Sequence, residues 1–166
     1  MADAFRVVTV EAFVGGASEF VVSQPSSDSL ILSSTSLVVQ EALLGAFLTE
    51  GLVKVELEGT TTVIRRVNLF EAGPGRLFPP STLRVSRVAT QRGPSGLDHL
   101  EVCLVSGDNP EETQYNVYDP MLQRLLMAAF QHRSLPGFGT IPIFVRAEGE
   151  KLVSVRLGEQ ILTPPH

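Results

Sequence analysis

The feature that most restricts how this chain can fold is that its second half repeats its first. Residues 43–47 (LLGAF) align with residues 126–130 (LMAAF), 83 positions later, and the same spacing pairs Gln40 and Glu41 with Gln123 and Arg124. Ser36 then falls opposite Asp119. Both are helix N-cap residues, because a short side-chain oxygen accepts from the free amides of a first turn, and Pro120 follows at the first helical position, where a missing amide costs nothing. Two helices are therefore predicted, starting in phase.

Alternating apolar runs surround each helix. After the first come Val53, Val55 and Leu57, then Val63, Arg65, Val67 and Leu69; after the second come Ile141, Ile143 and Val145, then Lys151, Val153, Val155 and Leu157, all 88 positions later. Period 2 with a Gly-containing turn between runs predicts a hairpin. Ahead of the helices, Phe5, Arg6, Val7 and Val10 match Leu83, Arg84, Val85 and Val88, and residues 19–23 (EFVVS) resemble residues 101–106 (EVCLVS). A third short strand is read at residues 30–32 and at 115–118. Coincidence among alternating apolar residues is the alternative, but ordered agreement of five strand segments and one capped helix favours duplication.

The predicted fold is mainly β with two helices: tandem duplicated OB-like Greek-key barrels, in the order β-β-β-α-β-β twice. The first repeat is assigned to residues 1–70 and the second to 81–158. Residues 71–80 (EAGPGRLFPP), whose Gly and Pro break helix and central strand alike, are read as a linker, and 159–166 as a tail.

Both helices are apolar around most of their circumference; residues 37–48 hold only Gln40 and Glu41 as polar side chains. A helix lying on one barrel needs an apolar stripe only about 100° wide, so a second covering surface is expected, from the other repeat or another subunit. Leu44, Leu48 and Met127, with the oppositely charged Glu41 and Arg124 at equivalent positions, are the candidate interface residues. Glu41 and Arg124 are expected to meet between repeats; two independent solvated charges are the alternative.

Residues 46–55 (AFLTEGLVKV) and the hairpin running to Leu69 resemble the helix-to-hairpin segment of the B-subunits of cholera-type enterotoxins. Beyond that segment the resemblance is one of element order. It implies a barrel with one helix and side-by-side assembly into rings with the helices at the centre. Those subunits carry a disulfide and a tryptophan at their sugar pocket, whereas this chain has one cysteine and no tryptophan, so no binding residue is carried over.

Composition narrows the function classes. With 13 Lys plus Arg against 18 Asp plus Glu, the net charge of -5 weighs against attraction to nucleic acid or anionic membranes. Cys103 alone supports neither an internal disulfide nor a multi-cysteine metal site, and no run is long and apolar enough to span a bilayer. Residues 1–6 (MADAFR) do not read as the start of a secretory signal, so a cytoplasmic location is expected.

No nucleophile elbow, phosphate-cradling loop or metal-ligand spacing is legible, and neither a cofactor nor a metal is expected. Cys103 between Val102 and Leu104 reads as a packed strand residue, and Asp98 with His99 as a polar turn rather than a dyad. The notable charge feature is a set of arginines in the middle of the chain. Arg65, Arg66, Arg84 and Arg87 are the candidate ligand-binding residues, since the planar guanidinium suits carboxylates and phosphates. Scattered, solvated or acid-paired arginines are the alternative. The expected function is a non-enzymatic interaction or scaffold protein that forms a homo-oligomeric ring or cluster and presents loops to a partner. The alternative is a binding module for an anionic small ligand, a glycan or a single-stranded nucleic acid.

Overall fold

Two capped helices set the frame. In the computed structural model, which describes residues 4–23, 29–71, 83–92, 98–106, 109–131 and 143–158, Ser36 has an extended backbone (φ -80°, ψ 121°) and its hydroxyl accepts from the Val39 amide at 3.4 Å. This opens α1 (Leu37–Thr49), which closes on Glu50 in the left-handed conformation, its amide donating to the Ala46 carbonyl. At the other helix, Asp119 Oδ1 accepts from the amides of Met121 (3.0 Å) and Leu122 (3.3 Å), opening α2 (Pro120–Gln131). Each cap satisfies amides that the first turn leaves without an internal partner.

Around them run β1 (Ala4–Phe13), β2 (Ser18–Ser23) and β3 (Leu30–Ser34) before α1, with β4 (Leu52–Leu57) and β5 (Ile64–Glu71) after it. The second half contributes β6 (Leu83–Arg92), β7 (Asp98–Ser106) and β8 (Asn109–Val117) before α2, then β9 (Ile143–Glu148) and β10 (Lys151–Leu157). The fold is thus mainly β with two helices, and the strands join into one large mixed sheet.

Its pairing has three parts. In the first half β1 lies between β2 and β4, β2 pairs β3, β4 pairs β5, and a parallel bridge between Ser33 and Val63 connects the ends of β3 and β5. In the second half β6 pairs β7, β7 pairs β8, β9 pairs β10, and β10 meets β8 in parallel at Lys151 and Asn116. The halves are joined by β1 and β10, antiparallel from Val10 opposite Leu157 to Phe13 opposite Ser154. At this junction the β10 strand passes so close to β1 that only glycine fits at its end: a Cβ on Gly158, whose φ is +106°, would lie 2.6 Å from the Val8 carbonyl oxygen.

The core is apolar and continuous, with Phe20, Phe47, Leu43, Leu122, Leu125, Leu126 and Leu157 fully buried.

Several expectations from simple alternation need correction. The β4–β5 ladder skips Arg65, so Ile64 rather than Val63 is buried and Arg65 is exposed, whereas Leu69, opposite the fully buried Val53, keeps its expected face and is 55% exposed; the β9–β10 ladder skips Val153, so Leu152, Ser154 and Val155 are buried. A bulge adds one residue to one strand and switches the faces of all that follow, which period-2 reading misses. In the two hairpins Val53 lies opposite Leu69 and Ile143 opposite Leu157. Tyr118 lies beyond the end of β8, and Glu71 belongs to β5 rather than to the linker. The rest of that linker, Ile141 and the tail at 159–166 lie outside the described residues.

Candidate interaction site between the helices

The two helices lie side by side, α1 packed on β1 and β5, α2 on β6 and β10 and also on β1 of the first half. Between them opens a groove of about 550 Å³. Its walls come from four pairs of residues at matching helix positions: Glu41 and Arg124, Leu44 and Met127, Gly45 and Ala128, Leu48 and Gln131. All five residues singled out in the sequence as interface candidates line this groove. Arg124 Nε donates to Glu41 Oε1, and Arg124 Nη1 donates to the Pro120 carbonyl at 3.0 Å. The ion pair is half exposed, so it sets the spacing of the helices more than it stabilises them.

One polar residue of α1 faces inward. Gln40 is 1% exposed, with Oε1 accepting from the Ser18 hydroxyl and Nε2 donating to the Gly16 carbonyl at 2.9 Å. This tethers the helix to the β1–β2 turn. Outward, Val38 is 76% and Leu37 39% exposed, so the described residues leave the second cover expected for α1 incomplete.

The arginines are placed differently. Arg65 bonds Glu56 at 3.2 Å across the β4–β5 hairpin, and Arg66 is exposed beside it. Arg87 donates to Glu112 from Nε (3.1 Å) and Nη2 (2.7 Å), which raises its already high pKa, and Nη2 also lies 3.6 Å from Cys103 Sγ. Arg84 is opposite Val105 on β6; its side chain lies outside the described residues. β5 and β6 do not pair, so strand register does not bring the four together.

Cys103 is buried in β7, and His99 Nε2 is 2.9 Å from Asn116 Oδ1 with its ring stacked on Tyr118 at 4.9 Å. Among the described residues no three His, Cys, Asp or Glu side chains are arranged to hold a metal ion, and no helix is long and apolar enough to cross a membrane.

A second cavity, of about 560 Å³, was not legible in the sequence. It forms where Val14 of the first half meets Tyr118, Asp119 and the β9–β10 hairpin. There the Val14 amide donates to the Val153 carbonyl at 2.9 Å, and Asp119 Oδ2 accepts from Gly15 at 3.3 Å. Residues from separate turns converge there, and no local motif marks them.

Fold and groove together define a mainly β protein with two helices set side by side at the join of its halves. Compared with known protein families, curated proteins and solved structures, the chain matches none.

Proposed function

We propose that the chain is a non-enzymatic assembly module: a tandem duplication of an OB-like barrel that associates with further copies of itself and presents loops to a partner. The observation that carries this reading is the correspondence of irregular features between the halves. The amide of Ser33 donates to the Thr62 carbonyl, and that of Asn116 to the Glu150 carbonyl, beside the two parallel bridges. The ladders skip a residue after Val7 and after Val85, and again at Arg65 and at Val153. Ser36 and Asp119 cap at matching positions. Regular strands agree by chance more readily than bulges and caps do, because each irregularity fixes a single register.

In support of the OB-type reading, the first half runs in the order β3-β2-β1-β4-β5 with its helix after the third strand, and the Ser33–Val63 bridge brings the end of β3 beside the start of β5. Support for assembly comes from the incompletely covered α1 and the open groove between the helices. A second reading, a module for an anionic ligand or single strand, has less support, since Arg65 and Arg87 are each engaged by a carboxylate. Light scattering coupled to size exclusion tests the first reading. A discrete oligomer is expected; a monomer over the whole accessible concentration range would overturn the assembly half.

A further inference from the structure

We infer that the free edges of β5 and β6 are the two complementary ends of a head-to-tail strand joint between copies of this chain, built on the pattern that β10 and β1 already use inside it. The inference rests on the duplication and self-association proposed above, and it names the surface and the partner.

The inner joint is heterologous. β1 of one half meets β10 of the other, and β10 is the counterpart of β5, while β1 is the counterpart of β6. A two-fold related pair of halves would have used each surface twice; this one uses each once. One copy of each surface is therefore left over. Among the described residues, no strand pairs with residues 66–69 of β5 on the side away from β4, or with residues 88–91 of β6 on the side away from β7. Unpaired strand edges are templates for another strand.

Burial follows the same division. Leu157 is 0% exposed in the inner joint, and its counterpart Leu69 is 55% exposed. Met121 is 2% exposed on α2, the helix that packs across onto β1, and its counterpart Val38 on α1 is 76% exposed. On the other edge Ala12 of β1 is fully buried, and its counterpart Thr90 is exposed. The exposed apolar residues thus stand where a second joint would cover them.

The inner register transfers directly. Val10 opposite Leu157 becomes Val88 opposite Leu69 of the next copy, and Glu11 opposite Arg156 becomes Ala89 opposite Asn68. The outer joint ends at Leu69, because the next residue is Phe70, where the inner joint has the close-packed Gly158. It also lacks the opposite charges that Glu11 and Arg156 set across the inner joint. It is accordingly weaker than the covalently tethered inner joint and depends on concentration. Repetition of one heterologous contact gives a ring if its rotation closes and a filament if it does not.

The test uses the full chain with Cys103→Ala, so that an introduced cysteine is the only thiol. An Asn68→Cys protein is mixed with an Ala89→Cys protein and treated with a short bis-maleimide. The joint predicts a cross-linked heterodimer formed faster in the mixture than either homodimer alone. In parallel, Leu69→Lys on the exposed edge is expected to weaken self-association by roughly tenfold or more while circular dichroism stays unchanged. An oligomer that keeps its mass in Leu69→Lys and shows no preferential 68–89 cross-link overturns the strand joint but leaves self-association standing. A chain that is monomeric at every concentration overturns both.

Discussion

Arg124 of α2 donates through its Nε to Glu41 of α1, joining two helices at positions 83 residues apart. Their side chains retain 40% and 45% exposure, so water screens the attraction. A double-mutant cycle of Glu41→Ala and Arg124→Ala should give a coupling of about 0 to 1 kcal/mol that shrinks as salt is raised. A larger, salt-independent coupling would mean that the pair is shielded in solution by a surface beyond this chain.

Gln40 occupies a buried position where its amide satisfies both the Ser18 hydroxyl and the Gly16 carbonyl. Gln40→Leu keeps the apolar volume but leaves the buried Ser18 hydroxyl and the part-buried Gly16 carbonyl without their partner, so unfolding in urea should register a loss of about 1 to 3 kcal/mol. Adding Ser18→Ala should cost less in the Gln40→Leu background than alone, since the hydroxyl has already lost its partner. Additive losses would show that the two groups act independently.

Gly158 carries the close approach at the junction of the halves. Gly158→Ala places a Cβ against the Val8 carbonyl oxygen and 3.2 Å from the Phe47 ring, on a backbone with φ of +106°. A loss of about 2 to 5 kcal/mol is expected from backbone strain and overpacking together. The contrasting variant, Gly45→Ala in the wall of the groove, meets nothing within 4 Å and should be neutral or slightly stabilising in a helix interior. Equal effects at the two sites in thermal unfolding would contradict the packing at the junction.

Glu11 gives the junction its pH dependence. Burial raises its pKa above the ordinary 4.5, with Arg156 opposing, Glu19 adding to the rise and Arg146 opposing more weakly. A folded-state pKa above the unfolded one means that the folded chain binds the proton more tightly. The stability this supplies is fully present below pH 4.5 and is lost as pH rises through the raised value. The gap in Tm between wild type and Glu11→Gln should therefore shift in favour of the glutamine as pH is raised from 4 to 7. A gap that does not change with pH would place Glu11 in water.

The groove itself was not legible in the sequence, only five of the eight residues that line it. Glu41, Leu44, Leu48, Arg124 and Met127 stood out because an all-apolar helix demands a second neighbour, and the matching sequences set the two helices in phase. The faces of β5 and β10 were not legible, because the skipped residues at Arg65 and Val153 depend on cross-strand partners rather than on local pattern. Gln40 is one of the few polar residues of its helix, yet it is buried; its partners, Gly16 in the β1–β2 turn and Ser18 at the start of β2, lie far away in the chain.

The sequence by itself determined the kinds of element, their order and the caps of the helices, since propensity, period and capping act over a few neighbouring residues. Tertiary structure alone decided that β1 joins β10, that β5 and β6 remain apart, and that four matched pairs of helix residues face one groove. Those outcomes depend on which surfaces meet across long separations in the chain, and there the close fit at Gly158 and the burial of Leu157 select one arrangement that no local segment encodes.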